Sequence, residues 1–572
     1  MIPNPIRMKN IYLLAVCLAT TCAILPIRTL AAELTASYEE QLRQIERERA
    51  LREQLQRTPD VRLERPEAEP AGRIPVDETP CYPIRRIALK GAFAERFQWA
   101  LGAANPEDDQ AVGRCLGANG INLVMRRMQN AIIARGFVTT RVLAEPQNLQ
   151  TGDLVLTLIP GRIRTIRFAE GTDDRATLWN AVPARPGDLL NLRDIEQSLE
   201  NFKRLPTADA DFQIAPGEQP GESDIIIRWK QDFPFRLNLS ADDSGSESTG
   251  QYLGGVTVAF DHMLTLNDLF YLSLNHDLGG GESGNNGTRS RTGHYSVPYG
   301  YWLLGFTAND HTYRQSVAGI NQTYLFSGES QTRDVRLSRL VYRDAVRKTT
   351  LSMRGWRHAS KNFIDDTEIE IQRRRTAGWE AGIGHREFIG RAALDMNLAY
   401  RRGTGAMDAL PAPEEAAGEG ASRLKLVTAD AQLALPFKLG DQSLHYGLAW
   451  RAQWNRTPLV PQDRFAIGGR YTVRGFDGEN LLSADRGWLI RNDLGLALGG
   501  SGQALYLGAD YGEVSGPSSE SLAGKRLAGV VLGLRGAYKR LSYDVFAGKP
   551  LSKPEGFKTA DTTTGFNLNA SF

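Results

Sequence analysis

From Phe233 to Phe572 the chain runs in short segments of alternating apolar and polar residues, separated by Gly, Asn, Asp and Ser. Phe270-Tyr271-Leu272-Ser273-Leu274-Asn275 alternates. So do Leu394-Asp395-Met396-Asn397-Leu398 and the run Val427 to Leu435, where Asp430 and Gln432 face opposite to Ala431 and Leu433. Period two sends successive side chains to opposite faces, so each segment predicts a strand with one apolar and one polar face. Such strands close into a barrel with lipid outside and water inside. About 340 residues at roughly 20 per strand and turn allow about 16 antiparallel strands. The last seven residues, Phe566 to Phe572, alternate to the end and finish on phenylalanine. The polar stretches Gly279 to Thr292 and Ala406 to Ser422 predict exposed loops.

Before Phe233 the period changes. Ile84 to Leu89 predicts a strand. Ile121, Val124, Met125, Met128 and Ile132 recur at helical spacing, and Gly136 supplies the stop. Strands are predicted at Phe137 to Leu143 and at Asp153 to Ile159. The plan then repeats with a strand at Ile163 to Phe168 and a helix face of Leu192, Ile195, Leu199 and Phe202. Strands at Phe212 to Ala215 and Asp224 to Lys230 complete it. Residues 81–161 and 162–232 are therefore two small α+β units, and 233–572 the barrel.

Residues 33–57 predict a helix charged nearly all round, with Glu39 four before Arg43 and Glu48 four before Arg52. Its apolar stripe of Tyr38, Leu42 and Ile45 is too thin to join a dry core. About 20 helical residues span roughly 30 Å, the thickness of a bilayer core, so this helix suits a plug in a wet pore. Residues 58–80 are rich in proline and charge and predict an extended linker. Residues 1–32 read as a signal peptide: Arg7 and Lys9 open it, Ile11 to Leu25 are apolar, and Ala31 and Ala32 mark a cleavage region. Its removal leaves two cysteines, Cys81 and Cys115, which in an oxidising compartment predict a disulfide.

Composition excludes more than it suggests. The net charge of +2 gives no support to a nucleic-acid partner. No apolar run after residue 30 reaches the length of a spanning helix, which leaves barrels open. The seven histidines are scattered without ligand spacing. There is no HExxH, phosphate loop, nucleotide fingerprint or nucleophile elbow. No enzyme activity, cofactor or metal is expected.

One decapeptide stands apart: Ile467-Gly468-Gly469-Arg470-Tyr471-Thr472-Val473-Arg474-Gly475-Phe476. Its valine-arginine-glycine-aromatic core resembles the loop motif of two-partner secretion (TpsB) transporters, ShlB/FhaC/HecB-like members of the Omp85 superfamily. Gly508-Ala509-Asp510-Tyr511-Gly512 resembles their strand motif. The units at 81–161 and 162–232 resemble POTRA domains, above all in Arg135 to Val142 and Ile159 to Ile163. The terminal phenylalanine resembles the signature of bacterial outer-membrane proteins. The resemblance implies a loop folded into the lumen and Arg474 paired with Asp510. By alternation Gly508 and Gly512 share the face of Asp510 and leave room for the loop. It further implies an N-terminal plug helix, an outer-membrane barrel in contact with lipid, and periplasmic POTRA domains that receive an unfolded TpsA-type exoprotein. The function expected is secretion, and activation, of a large partner such as a haemolysin or adhesin. An Omp85-type assembly factor is the alternative. Two POTRA-like units and a plug-like helix favour the transporter.

Overall fold

A computed structural model describes residues 38–56, 59–63, 72–319 and 321–572. The expected signal peptide at 1–32, the first residues of the expected plug segment (33–37) and part of the linker lie outside the described residues.

A helix, α1, occupies residues 38–55. The first α+β unit contains β1 (Arg86–Lys90), α2 (Ala118–Ala134), β2 (Arg141–Leu143) and β3 (Asp153–Ile159), with β3 central in its sheet. The second contains β4 (Arg162–Phe168), α3 (Leu192–Lys203), β5 (Ala208–Pro216) and β6 (Glu222–Gln231), with β6 central. In each, the apolar helix stripe packs on the sheet: Val124, Met128 and Ile132 in the first, Ile195, Leu199 and Phe202 in the second. Cys81 and Cys115 form a disulfide with Cα atoms 5.3 Å apart.

The remaining chain closes into an antiparallel barrel of 16 strands. In order these are β7 (Phe235–Asp242), β8 (Tyr252–Asp261), β9 (Leu269–Gly279), β10 (Gly287–Tyr299), β11 (Trp302–Ala318), β12 (Thr323–Arg343), β13 (Arg347–Ile364) and β14 (Arg374–Ile389). Then follow β15 (Ala392–Thr404), β16 (Lys425–Leu439), β17 (Gln442–Asn455), β18 (Arg486–Ala497), β19 (Gln503–Ser515), β20 (Arg526–Tyr538), β21 (Leu541–Ser552) and β22 (Thr563–Ser571). β22 pairs with β7 over Asn567 to Ser571 and closes the ring. The outer wall is apolar, with Leu272, Leu337, Met353, Leu398, Leu507 and Leu532 exposed. That is the pattern of a wall solvated by lipid rather than water.

Three local expectations are corrected. The strand expected at Phe137 to Leu143 is confined to Arg141–Leu143. Residues 136–140 instead join the units: the Leu192 N–H donates across to the Gly136 carbonyl (2.9 Å), and Thr140 Oγ1 accepts from the N–H of Gly161, the last residue of the first unit (3.0 Å). The loop expected at Gly279 to Thr292 is shorter, because β10 resumes at Gly287. The strand expected at Phe212 to Ala215 runs from Ala208 to Pro216, where Asp209 and Asp211 fill its open face and hide its length. The described parts of the linker are docked on both α+β units. The Val61 and Leu63 N–H groups donate to Glu200 (2.9 Å) and Glu196 (3.0 Å) on α3. Ile74 N–H donates to Asp109 (2.9 Å), and Glu78 accepts from the N–H groups of Gly117, Asn119 and Gly120 at the start of α2. A carboxylate at a helix N-terminus satisfies orphan donors and faces the positive end of the dipole. Burial pushes the Glu78 carboxyl up, but these three bonds outweigh it and hold it below its ordinary range.

Candidate functional site

Between β17 and β18 the chain leaves the wall and folds back into the barrel. A two-stranded hairpin, Phe465–Ile467 with Leu482–Ala484, forms its base. Phe465, Ile467, Val473, Phe476 and Leu482 pack with Leu489, Val514, Leu527 and Phe557. A long polar loop is thus pinned by an apolar cluster of its own, which gives it one conformation inside a wet lumen. The tip begins as a tight turn: Thr472 N–H donates to the Gly469 carbonyl (2.9 Å), and Thr472 Oγ1 accepts from the N–H groups of Gly468 and Gly469. Gly475 has φ +93°, and a Cβ there would stand 2.5 Å from the Lys549 carbonyl oxygen. Only glycine meets both demands without strain. Phe476 then packs edge-on against Phe557, their centroids 5.9 Å apart.

This scaffold aims Arg474 at the wall. Its Nε donates to Asp510 Oδ2 (2.7 Å) and its Nη2 to Asp510 Oδ1 (2.8 Å), a bidentate fork. The Arg474 backbone N–H donates to Oδ2 as well (3.0 Å). Nη2 also reaches Asp493 Oδ1 on β18 (2.6 Å). Arg474 and Asp510 are both buried, at 5% and 4% exposure. Alternation along β19 turns Tyr506, Gly508, Asp510, Gly512 and Val514 inward. A Cβ on Gly508 would come within 2.7 Å of Arg474 Nη2, and one on Gly512 within 2.8 Å of Val473 Cγ2. The two glycines are therefore the floor on which the loop lies.

Asp493 escapes the motif-based reading. It is directly opposite Gly508 in the β18–β19 register, as Arg491 is opposite Asp510. Arg491 stands 3.8 Å from Asp510, and Arg535 stands 3.7 Å from Asp493. The strand period of Ile490 to Asp493 was the signal that could have found both. A second anchor lies at Arg470, which pairs with Asp243 (2.7 Å) and donates to the Phe566 carbonyl (2.7 Å), tying the loop to the barrel seam.

Helix α1 fills the lumen beside this loop. At one end Glu39 accepts from the Leu481 N–H (3.3 Å) and Glu40 from Thr249 (3.3 Å). At the other, Gln56 donates to the Tyr271 hydroxyl (2.9 Å), close to the α+β units. Eighteen residues at 1.5 Å each cover about 27 Å between these points. Midway, Arg451 on β17 forms a fork with Glu46 (2.6 and 2.8 Å). Of the expected intrahelical pairs, Glu39 and Arg43 stand 3.7 Å apart, whereas Arg52 turns to Asp334 on the wall (3.7 Å). The helix is thus held by ion pairs and hydrogen bonds to the lumen. It buries Leu42 as its main apolar side chain. Among the described residues no group of side chains could hold a metal ion.

Comparisons with known proteins agree with this geometry. A family model described as haemolysin secretion/activation protein ShlB/FhaC/HecB matches residues 221–536. A POTRA domain model of the ShlB type matches 82–161, and a second POTRA model matches 162–216. The chain is 38% identical to outer membrane transporter CdiB-2 of Burkholderia pseudomallei (strain 1026b), covering 97% of this chain and 100% of that protein. It is 26% identical to the hemolysin transporter protein ShlB of Serratia marcescens over 84% of each. The structure of CdiB from Acinetobacter baumannii superposes with a TM-score of 0.83 at 32% identity, covering 94% of this chain and 99% of that one.

Proposed function

The chain belongs to the ShlB/FhaC/HecB family of haemolysin secretion/activation proteins, and from that premise we propose that its lumen exports one large TpsA-type exoprotein in extended form. It is an outer-membrane transporter of two-partner secretion, with its POTRA domains on the periplasmic side.

The POTRA sheets receive the unfolded partner by strand addition. Each sheet has a central strand flanked on both sides and two edge strands: β1 and β2 in the first domain, β4 and β5 in the second, the start of β4 being already bonded to residues 187–189. An added strand gains main-chain hydrogen bonds at such an edge, largely independent of its sequence. Helix α1 then leaves the lumen. Water and passing chain can replace its polar contacts, so its exit exposes little apolar surface. The arginine lock keeps the loop against β18 to β20 while cargo passes, which preserves the free cross-section. Export needs no nucleotide site in this scheme, because folding outside the cell draws the chain forward.

The observation that carries this reading is a polar helix held in the lumen by ion pairs beside a loop that is locked to the wall. The test is co-expression in a host without related transporters, with the large exported protein encoded beside this gene. The exoprotein reaches the medium only when this chain is present. Equal release without it overturns the proposal.

A further inference from the structure

The outer wall carries a cationic patch that no lumen chemistry explains. Arg333 on β12 stands directly opposite Arg357 on β13, and Arg402 on β15 stands directly opposite Lys425 on β16. Their inward neighbours fix the facing. Asp334 binds Arg354 in the lumen (3.1 Å), the Arg401 guanidinium lies 4.1 Å from the Trp356 ring centroid, and Leu424 and Leu426 are buried. Arg374 pairs inward with Glu414, so Arg375 faces out. Between the two cation pairs lie only Ala377, opposite Arg357, and Trp379, opposite Arg402.

Like charges directly across a strand pair destabilise a sheet. Here two such pairs occur at similar height with only β14 between them. Arg333 is compensated by Asp310 (2.8 Å). Arg357, Arg375, Arg402 and Lys425 have no side-chain hydrogen bond or ion pair among the described residues. Unpaired cations at this density need an anion from elsewhere.

Their height identifies it. Arg347 to Arg357 measures about 33 Å along the strand and about 25 Å along the barrel axis, the full height of a barrel's apolar band. Below the cations the outward residues are apolar except Arg339, whose guanidinium lies over the Trp302 ring (4.9 Å): Val335, Leu337, Leu351, Met353 and Leu398 are exposed. Trp379 and Tyr400 form a T-shaped pair at the boundary, 5.7 Å apart. Above, the wall is polar, with Lys361 beside Glu329 (3.6 Å). The cations therefore ring the point where acyl chains end and headgroups begin, at the end of the barrel away from the POTRA domains.

We propose that Arg357, Arg375, Arg402 and Lys425, with Arg333 at their edge, bind the phosphate groups of a polyphosphorylated glycolipid of the outer leaflet. Its acyl chains lie on the aliphatic wall below. Guanidinium forks match phosphate oxygens, and several spaced cations suit a ligand with more than one phosphate.

The test uses the purified full-length chain in zwitterionic detergent, with bound lipid counted by native mass spectrometry. Bisphosphorylated lipid A should bind at least tenfold more tightly than monophosphoryl lipid A. The combined variant Arg357→Gln, Arg402→Gln, Lys425→Gln should weaken lipid A binding at least tenfold while keeping heat-modifiable migration. Should that variant fail to assemble, Arg402→Gln alone is read in its place, with a threefold loss expected. Inorganic phosphate at millimolar concentration should not displace the lipid. Equal binding of the two lipids, undiminished binding by the assembled variant, or displacement by inorganic phosphate would each overturn the site.

Discussion

Replacing Arg474 with alanine tests how the lock works. The substitution removes two charge-assisted bonds to Asp510 and one to Asp493, and keeps only the backbone N–H bond. The Asp510 side chain is fully buried, and its nearest remaining cation is Arg491 at 3.8 Å, beyond hydrogen-bond range. An exposed ion pair contributes about 0 to 1 kcal/mol, whereas breaking a shielded one costs about 3 to 5 kcal/mol. The lumen is wet on one side of the loop, so the lower end applies, about 3 kcal/mol. At 1.4 kcal/mol per tenfold, that raises the population of the undocked loop about 100-fold. Hydrogen exchange of the Thr472 to Phe476 amides should quicken by that factor in the assembled barrel, and trypsin should cut there. Arg474→Lys keeps the charge but not the fork, and should lie between wild type and alanine. In the cycle with Asp510→Ala, the coupling should be about 2 to 3 kcal/mol. Coupling near zero, with exchange unchanged, would refute the paired lock and leave two separately hydrated charges.

Three further outcomes are expected. Cys81→Ser with Cys115→Ser should destabilise the first POTRA domain by about 4 kcal/mol in the chain-entropy model, read by denaturant titration of the full chain, and leave the barrel's transition in place. Arg164 forks onto Asp224 (2.6 and 2.8 Å), and that bond holds the Asp224 carboxyl down at about 2. A carboxyl depressed in the folded state adds stability above its ordinary value and loses it as pH falls through the folded one. Exchange in β4 and β6 should therefore quicken between about pH 4 and pH 2, and Asp224→Asn should abolish that dependence. Arg451→Ala breaks the mid-helix fork to Glu46 and should raise single-channel conductance part of the way toward that of a chain lacking residues 38–56.

The barrel was legible because lipid outside and water inside impose a two-residue period on every strand, and that period survives in Phe270 to Asn275 and Val427 to Leu435. The POTRA helices were legible for the matching reason at period 3.6. What failed were segments whose geometry is set by contacts distant in sequence. Phe137 to Thr140 look like strand residues by composition, yet Gly136 bonds to Leu192 across the domain joint and Thr140 to Gly161 beside it. The linker's docking carried no local signal because its partners, Glu196 and Glu200, sit on a helix more than a hundred residues later. Within the lock, Arg474 and Asp510 stand in short motifs. Asp493 carries no motif and is brought in by register alone.

The central claim is that cargo passes through the space that α1 fills. Glu46 on α1 and Arg451 on the wall are in direct contact, so cysteines at these two positions can be joined by a thiol-cleavable bifunctional reagent. With the helix tethered, secretion of the partner exoprotein should stop, and cleavage of the tether should restore it, against a wild-type control treated identically. Undiminished secretion with the tether intact would contradict the account, because the exoprotein would then have left by another route.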